Sequence, residues 1–447
     1  MFMSSIQKIK VYLNTGVSIA PLVTFRLLFY GLFLVGAIRF IASGWINELY
    51  SGTAFYFKFY GLSWVPNIGS DAMLAIYIVM VLSSLCCLLG LFYRLSAIIT
   101  FLGFFFYEFT DATNYLNHYY LVLLLLFLLI FLPANKAFSL DVRYRGVKSF
   151  DRIPRFMIVI IQFQLACVYF FAGLAKLNAD WLINYMPMAV WLPSKSDLPL
   201  IGPLLAKPFT AALFSYGGAI YDLSIAFFLC FKRTRPIAYL FVLGFHLMVG
   251  LLFNIGLFPW IMILSTTIFF SDEKHAKILS KIGFNPNKDT TFVVSKIKAV
   301  YLGLAFYVFI QLILPMRSLL YPGNVLWHEQ GYRFSWRVML VEKAGVAIFK
   351  VFDKEDVFLG EVDNSKYLSA YQEKQMAIQP DFILQYAHHL KNQLEEEYKI
   401  KNLKIKCDCF VALNGRASQR LVYADTDLSQ EVDNWAVKKW IIPLTDN

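Results

Sequence analysis

Charge is scarce in this chain. Only 16% of its 447 residues are Asp, Glu, Lys or Arg, where a soluble domain carries about 25%, so a water-facing surface on every side is excluded. Cysteine is scarce too. The six, at 86, 87, 167, 230, 407 and 409, have neither zinc-type nor disulfide-framework spacing. With 24 Gly and 16 Pro the composition is neither collagen-like nor disordered, and no fixed-period repeat runs along it. A nucleotide-binding glycine loop, a Ser-His-Asp order and a metal-ligand spacing are also missing. Apolar and aromatic residues are abundant: 58% hydrophobic, 17% aromatic, mean hydropathy +0.56. That composition belongs to an integral membrane protein.

Apolar stretches of roughly 17 to 25 residues predict membrane helices near 19–41, 72–93, 96–110, 115–133, 156–175, 211–230, 236–252, 255–270 and 297–315. Two of these, 96–110 and 255–270, are short, so about nine crossings are expected. The first 18 residues lack the order of a secretory signal, and the first long apolar stretch is long enough to stay in the bilayer. Basic residues alternate with the crossings. With Lys8 and Lys10 inside, Arg94, the run from Lys136 to Arg155, the Lys232–Arg235 cluster, and Lys274, Lys277, Lys281 and Lys288 all fall inside. The tail then lies outside. Up to Pro315 there are 24 Lys and Arg against 12 Asp and Glu, and from Met316 onward 17 against 18. The positive excess therefore belongs to the membrane half, which suits an anionic leaflet and argues against nucleic acid.

The expected architecture is a polytopic α-helical membrane domain over 1–315 followed by an extracytoplasmic α+β domain over 316–447. In the tail, Arg333–Leu340, Val346–Phe352 and Val357–Val362 alternate as strands, with turns at Lys343–Gly345 and Asp353–Asp356. Asp381–Lys399, opened by Pro380, predicts an amphipathic helix. Leu403, Ile405, Cys407, Cys409, Val411 and Leu413 share one face of a further strand. On it the two thiols lie about 7 Å apart, too far for comfortable bridging, and are expected as small core residues.

Ionisable residues inside spans are costly, so Arg26, Glu108, His118, Lys176, Asp222 and His246 are candidates. Topology puts Glu108, His118 and Lys176 near the outer interface and Asp222 and His246 deeper. Each also has a structural reading: a snorkelling lysine, an aromatic belt around His118, or an Asp222 pair with Arg26 or a histidine. A desolvated amine beside apolar walls loses proton affinity and becomes a base, with a histidine and asparagines to hold a proton and an oxyanion.

Specific segments add to this. Tyr169-Phe-Phe-Ala-Gly-Leu-Ala-Lys176-Leu-Asn-Ala-Asp180-Trp181 resembles the catalytic-lysine segment of the vitamin K-dependent gamma-carboxylases, and Asn117-His118-Tyr119-Tyr120-Leu121 resembles their Asn-His motif. Leu89–Arg94, Asp222-Leu-Ser, Phe245-His246 and Leu252–Phe258 are similar to further segments of that family. In the tail so are Gly331–Trp336 and Leu413–Arg420, and the match runs in order from about residue 20 to about residue 435.

The resemblance implies an enzyme of the carbon-carbon lyase class that couples two reactions. A base deprotonates reduced vitamin K, phylloquinol or menaquinol; O2 adds; the basic oxygenated species removes a γ-proton from glutamate; CO2 is taken up; and the quinone leaves as its 2,3-epoxide. By the same resemblance Lys176 is the base, with His118 and Asn117 polarising the oxygenated species or the substrate carboxylate. Arg416 and Arg420 map to a segment able to hold the glutamate carboxylate, Trp336 to the route into the membrane, and His246 to the pocket. No metal is implied. The expected partners are a glutamate-containing protein or peptide and the membrane quinone and lipid pool. The chain ends shortly after its Gln-Arg motif, which looks like a bacterial member, in an inner membrane with a cytoplasmic N-terminus and a periplasmic tail. Two alternatives stay open: a quinol epoxidase without glutamate carboxylation, and a non-enzymatic quinone- or lipid-binding membrane protein.

Overall fold

The computed structural model describes residues 5–52, 55–284, 290–294 and 297–445; Lys288 lies outside them. All nine apolar stretches are helical. After a short helix α1 (Ser5–Asn14) come α2 (Ala20–Ala42), α3 (Ser70–Leu89), α4 (Tyr93–Thr110), α5 (Asn117–Phe131) and α6 (Phe156–Ala175). A one-turn helix α7 (Ala179–Leu182) precedes α8 (Pro208–Cys230), α9 (Arg235–Leu252), α10 (Phe258–Ser265) and α11 (Ile297–Ile313). Among the described residues six helical runs are long and apolar enough to cross a membrane: α2, α3, α6, α8, α9, and α11 continued to Leu320. Asn117–Phe131 and Phe258–Phe269 are shorter apolar helices. This is a polytopic helical membrane protein. β1 (Gly16–Ser18) and β2 (Arg152–Pro154) pair antiparallel at the feet of α2 and α6.

Two groups of helices emerge. In the first, α2, α3, α4 and α5 pack in sequence; in the second, α8 packs against α6 and α9, and α10 lies against both α9 and α2. Gly173 sets the closest approach in the second group. A Cβ there would come 2.7 Å from the backbone nitrogen of Leu223 and 3.0 Å from the carbonyl carbon of Asp222, so only glycine lets α6 and α8 touch backbone to backbone.

The tail holds an antiparallel sheet of order β4-β3-β5-β6, from β3 (Lys343–Phe352), β4 (Phe358–Glu361), β5 (Lys404–Leu413) and β6 (Gln419–Arg420). β3 and β5 pair along ten residues, from Lys343 opposite Leu413 to Phe352 opposite Lys404. The segment expected as a turn at Lys343–Gly345 is thus strand. Helix α12 (Ala370–Met376), opened by a Ser369–Gln372 capping box, was not expected; α13 (Pro380–Tyr398) was. Ile383, Leu384, Ala387 and Leu390 of α13 are buried with Phe349, Ile405, Cys407 and Cys409. Both thiols are unbridged, Cys409 donates to Ala377 O at 3.3 Å, and burial pushes its thiol up to about 12.

One expected strand is absent. Residues 333–340 are irregular, because Phe334, Trp336 and Met339 all take positive φ, near 57–59°. Such backbone costs about 1–3 kcal/mol per residue and persists only where surroundings over-determine it. Here they do. Phe334 packs against Tyr115 and Tyr120, and the buried Trp336 stacks on Tyr120 at 4.9 Å. The alternation that mimics a strand is instead a plug whose aromatic side chains pack against residues at the start of α5.

Candidate active site

Lys176 follows the last residue of α6, and its ammonium nitrogen donates to Asp222 Oδ2 at 2.7 Å and to Ala172 O at 3.3 Å. Both partners are buried, and the Trp181 ring lies 5.1 Å from Nζ. This corrects the expected depths: the lysine and Asp222 are not at separate levels but form one ion pair, which the Gly173 contact brings together. Arg26, an expected alternative partner for Asp222, is spent on the carbonyls of Ala134, Ala137 and Phe138. His246 pairs with Tyr169, the hydroxyl lying 2.9 Å from Nε2.

Two cavities meet here. The more apolar, about 680 Å³, is lined by Lys176, Asp222, Tyr169, His246, Phe241 and Trp181 among others. The second, about 520 Å³, is lined by His118, Asn117, Tyr119, Arg39 and Arg337 with Tyr77 and Tyr107. Phe258, Val338 and Met339 line both. His118 and His246 both lie beside Phe258, with ring centroids 5.6 and 6.0 Å from it. Lys176 and His118, expected in one site, therefore line neighbouring cavities that share Phe258 and, from the plug, Val338 and Met339. Asn117 serves the plug: its amide donates to Arg337 O at 3.0 Å, while its oxygen accepts from the Tyr115 hydroxyl at 3.1 Å.

The other expected ligand residues lie elsewhere. Arg416 forks Asp180 at 2.9 and 2.5 Å, and Asn414 adds a bond to the same carboxylate at 3.0 Å. Asp180 sits on α7, four residues past Lys176, where Asn178 caps the helix by accepting from Trp181 N. Arg420 bonds Asp408 and covers Phe410. Arg416, Arg420 and Trp336 line neither cavity.

Asp180, Arg39 and Arg337 were missed as site residues. Asp180 lies in the segment of Lys176 but the partner for its charge is not nearby in sequence, and the partners of Arg39 and Arg337 in the cavity come from distant parts of the chain. Glu108, a candidate from sequence, is buried in α4 with neither carboxylate oxygen hydrogen-bonded among the described residues. Among those residues no group of three His, Cys, Asp or Glu side chains is placed to hold a metal.

No solved structure matches the chain. A model of the HTTM domain matches residues 14–273, and a model of the vitamin K-dependent gamma-carboxylase lumenal domain matches residues 296–447. Together with the helical membrane half and the sheet-containing tail, these matches place the chain in the vitamin K-dependent gamma-carboxylase family.

Proposed function

We propose that this protein couples oxidation of a naphthohydroquinone, reduced vitamin K or menaquinol, to γ-carboxylation of protein glutamate with O2 and CO2, releasing the 2,3-epoxide. The membrane domain crosses nine times, counting the shorter helices and α4, and carries the tail on the periplasmic side of a bacterial inner membrane. The observation that supports this reading best is the Lys176–Asp222 pair in the wall of a cavity of about 680 Å³. Its size is that of a small-molecule site, and its aromatic and aliphatic lining fits a flat lipid-soluble ring. When bound, the hydroquinone supplies the driving force, since its oxidation by O2 makes the removal of a weakly acidic γ-proton possible.

The residues do the rest. Lys176 and Asp222 share one proton between a nitrogen and an oxygen, and the pair is neutral overall wherever that proton resides. With it on Asp222, the amine is a free base able to accept a hydroxyl proton without leaving net charge in an apolar interior. Trp181 and the plug exclude water from that exchange. His118 and Arg337 give the second cavity a ring nitrogen and a cation suited to a glutamyl carboxylate, and Asn117 holds the plug over it.

One observation favours quinol epoxidation without glutamate carboxylation. Arg416, the cation expected to hold the substrate carboxylate, is engaged with Asp180. Purified protein given reduced vitamin K, O2, a Glu-containing peptide and labelled CO2 separates the readings. Label in the peptide together with epoxide is expected. Epoxide alone would leave the epoxidase, and neither product would leave a binding protein.

A further inference from the structure

The apolar cavity has a second polar pole. Tyr169 lies on α6 and Lys176 directly follows that helix seven residues on, so their backbones share a face about 10 Å apart along the axis. Each is tied to a different neighbouring helix: Lys176 to Asp222 of α8, and Tyr169 to His246 of α9. All four line the same cavity. His246 is 2% exposed, and its Nδ1 has no hydrogen-bond partner among the described residues. A buried ring nitrogen normally has one. The Tyr169 hydroxyl, with one donor and two acceptor sites, retains capacity beyond its bond to His246.

Between the poles the walls are bare. Ala172 lies between Tyr169 and Lys176, and Gly217 and Gly244 border the cavity where an added Cβ would meet nothing within 4 Å. The Phe245 ring, stacked on Tyr221 at 4.0 Å, offers an aromatic surface beside the slot.

The axial spacing of the two anchoring residues suits one ligand geometry. The two oxygens of a 1,4-hydroquinone lie roughly 5.5 Å apart, and a hydrogen bond of about 2.8 Å at each end extends that to about 11 Å. We propose that the Tyr169–His246 pair is the second anchor of the quinol: Lys176 and Asp222 engage one ring oxygen, while Tyr169 and His246 engage the para oxygen, selecting para-diols and fixing which oxygen meets the base. The inference rests on the quinol reading of this cavity and deepens it.

The test compares equilibrium binding of 2-methyl-1,4-naphthohydroquinone and 2-methyl-1-naphthol to the detergent-solubilised full chain under anaerobic conditions. The wild-type protein is expected to bind the diol about tenfold more tightly, one tenfold step being about 1.4 kcal/mol. In Tyr169→Phe, which keeps the ring and its packing, and independently in His246→Gln, that ratio should fall to within about twofold of unity. Naphthol affinity and melting temperature should stay near wild type, the readouts that exclude a merely structural loss. A ratio unchanged in both variants, or equal wild-type affinity for both compounds, overturns the second anchor and leaves the quinol reading standing. Failure of the wild-type protein to bind either compound overturns both.

Discussion

The two cavities share a wall and differ in chemistry. One is walled by aliphatic and aromatic side chains, with the Lys176–Asp222 and Tyr169–His246 pairs among them; the other carries His118, Arg39 and Arg337 among tyrosines. The reason is local. The first lies between α6, α8 and α9, where Gly173 permits the backbone contact that seats Lys176 beside Asp222. The second lies where α2, α4 and α5 meet the plug, and the plug contributes Arg337 from outside the bundle. In the proposed reaction this separates a dry chamber for making a base from a polar one for holding a carboxylate, with Phe258 between them.

The strongest test removes the dry chamber's amine. Lys176→Ala should lower epoxide formation by more than about 100-fold and also destabilise the fold, because it strands Asp222; breaking one side of a buried pair costs about 3–5 kcal/mol. The double variant Lys176→Ala/Asp222→Asn should recover much of the melting temperature while remaining inactive. Lys195→Ala, outside both cavities, should change little. A double variant that regains epoxidation would remove Lys176 from the chemistry.

Phe258→Ala addresses the wall itself. Joining the chambers should let water reach the reacting groups, so the ratio of epoxide to carboxylated peptide should rise several-fold from its coupled value. An unchanged ratio would mean that Phe258 divides nothing of consequence. A smaller effect is expected from Arg337→Ala, which should raise KM for a glutamyl peptide about tenfold, the scale of one charge-assisted hydrogen bond, with quinol KM unchanged. Equal changes in both would merge the two roles.

How much of this was readable beforehand varies by element. Helices announce themselves through long apolar runs, and β5 through six apolar positions alternating from Leu403 to Leu413. Lys176 and His118 stood out as ionisable residues in or beside apolar runs, and the family resemblance gave them, with Asn117, their expected roles. The pairing of Lys176 with Asp222 was not legible. It depends on a side chain reaching across helices, and counting residues from each membrane surface places the two at different levels. The plug was hidden for another reason: Arg333–Leu340 alternates like a strand, and nothing in its composition signals three positive-φ residues, which the rings of Tyr115 and Tyr120 impose from another part of the chain. Arg416 was mapped to the substrate carboxylate through the resemblance, and its contact with Asp180, 236 positions away, had no signature in the sequence.

That last residue gives the finest test of the comparison. Burial alone would raise the Asp180 carboxyl, but the Arg416 fork and the Asn414 amide outweigh it and hold it below the usual carboxylate range. A carboxyl depressed in the folded state stabilises fully above its unfolded value of about 4, and the contribution drains away as pH falls through the folded value. Wild-type melting temperature should therefore drop on acidification below about pH 4, more steeply than that of Asp180→Asn, which has no such proton to gain. At neutral pH Arg416→Ala and Asp180→Asn should each lose stability, with the double variant losing less than the sum by about 1–3 kcal/mol. Because Asp180 follows Lys176 by four residues, both variants should slow quinol oxidation and glutamate use together. Loss of glutamate use alone in Arg416→Ala would move this cation to the carboxylate-binding side and make the second cavity only part of the substrate's route.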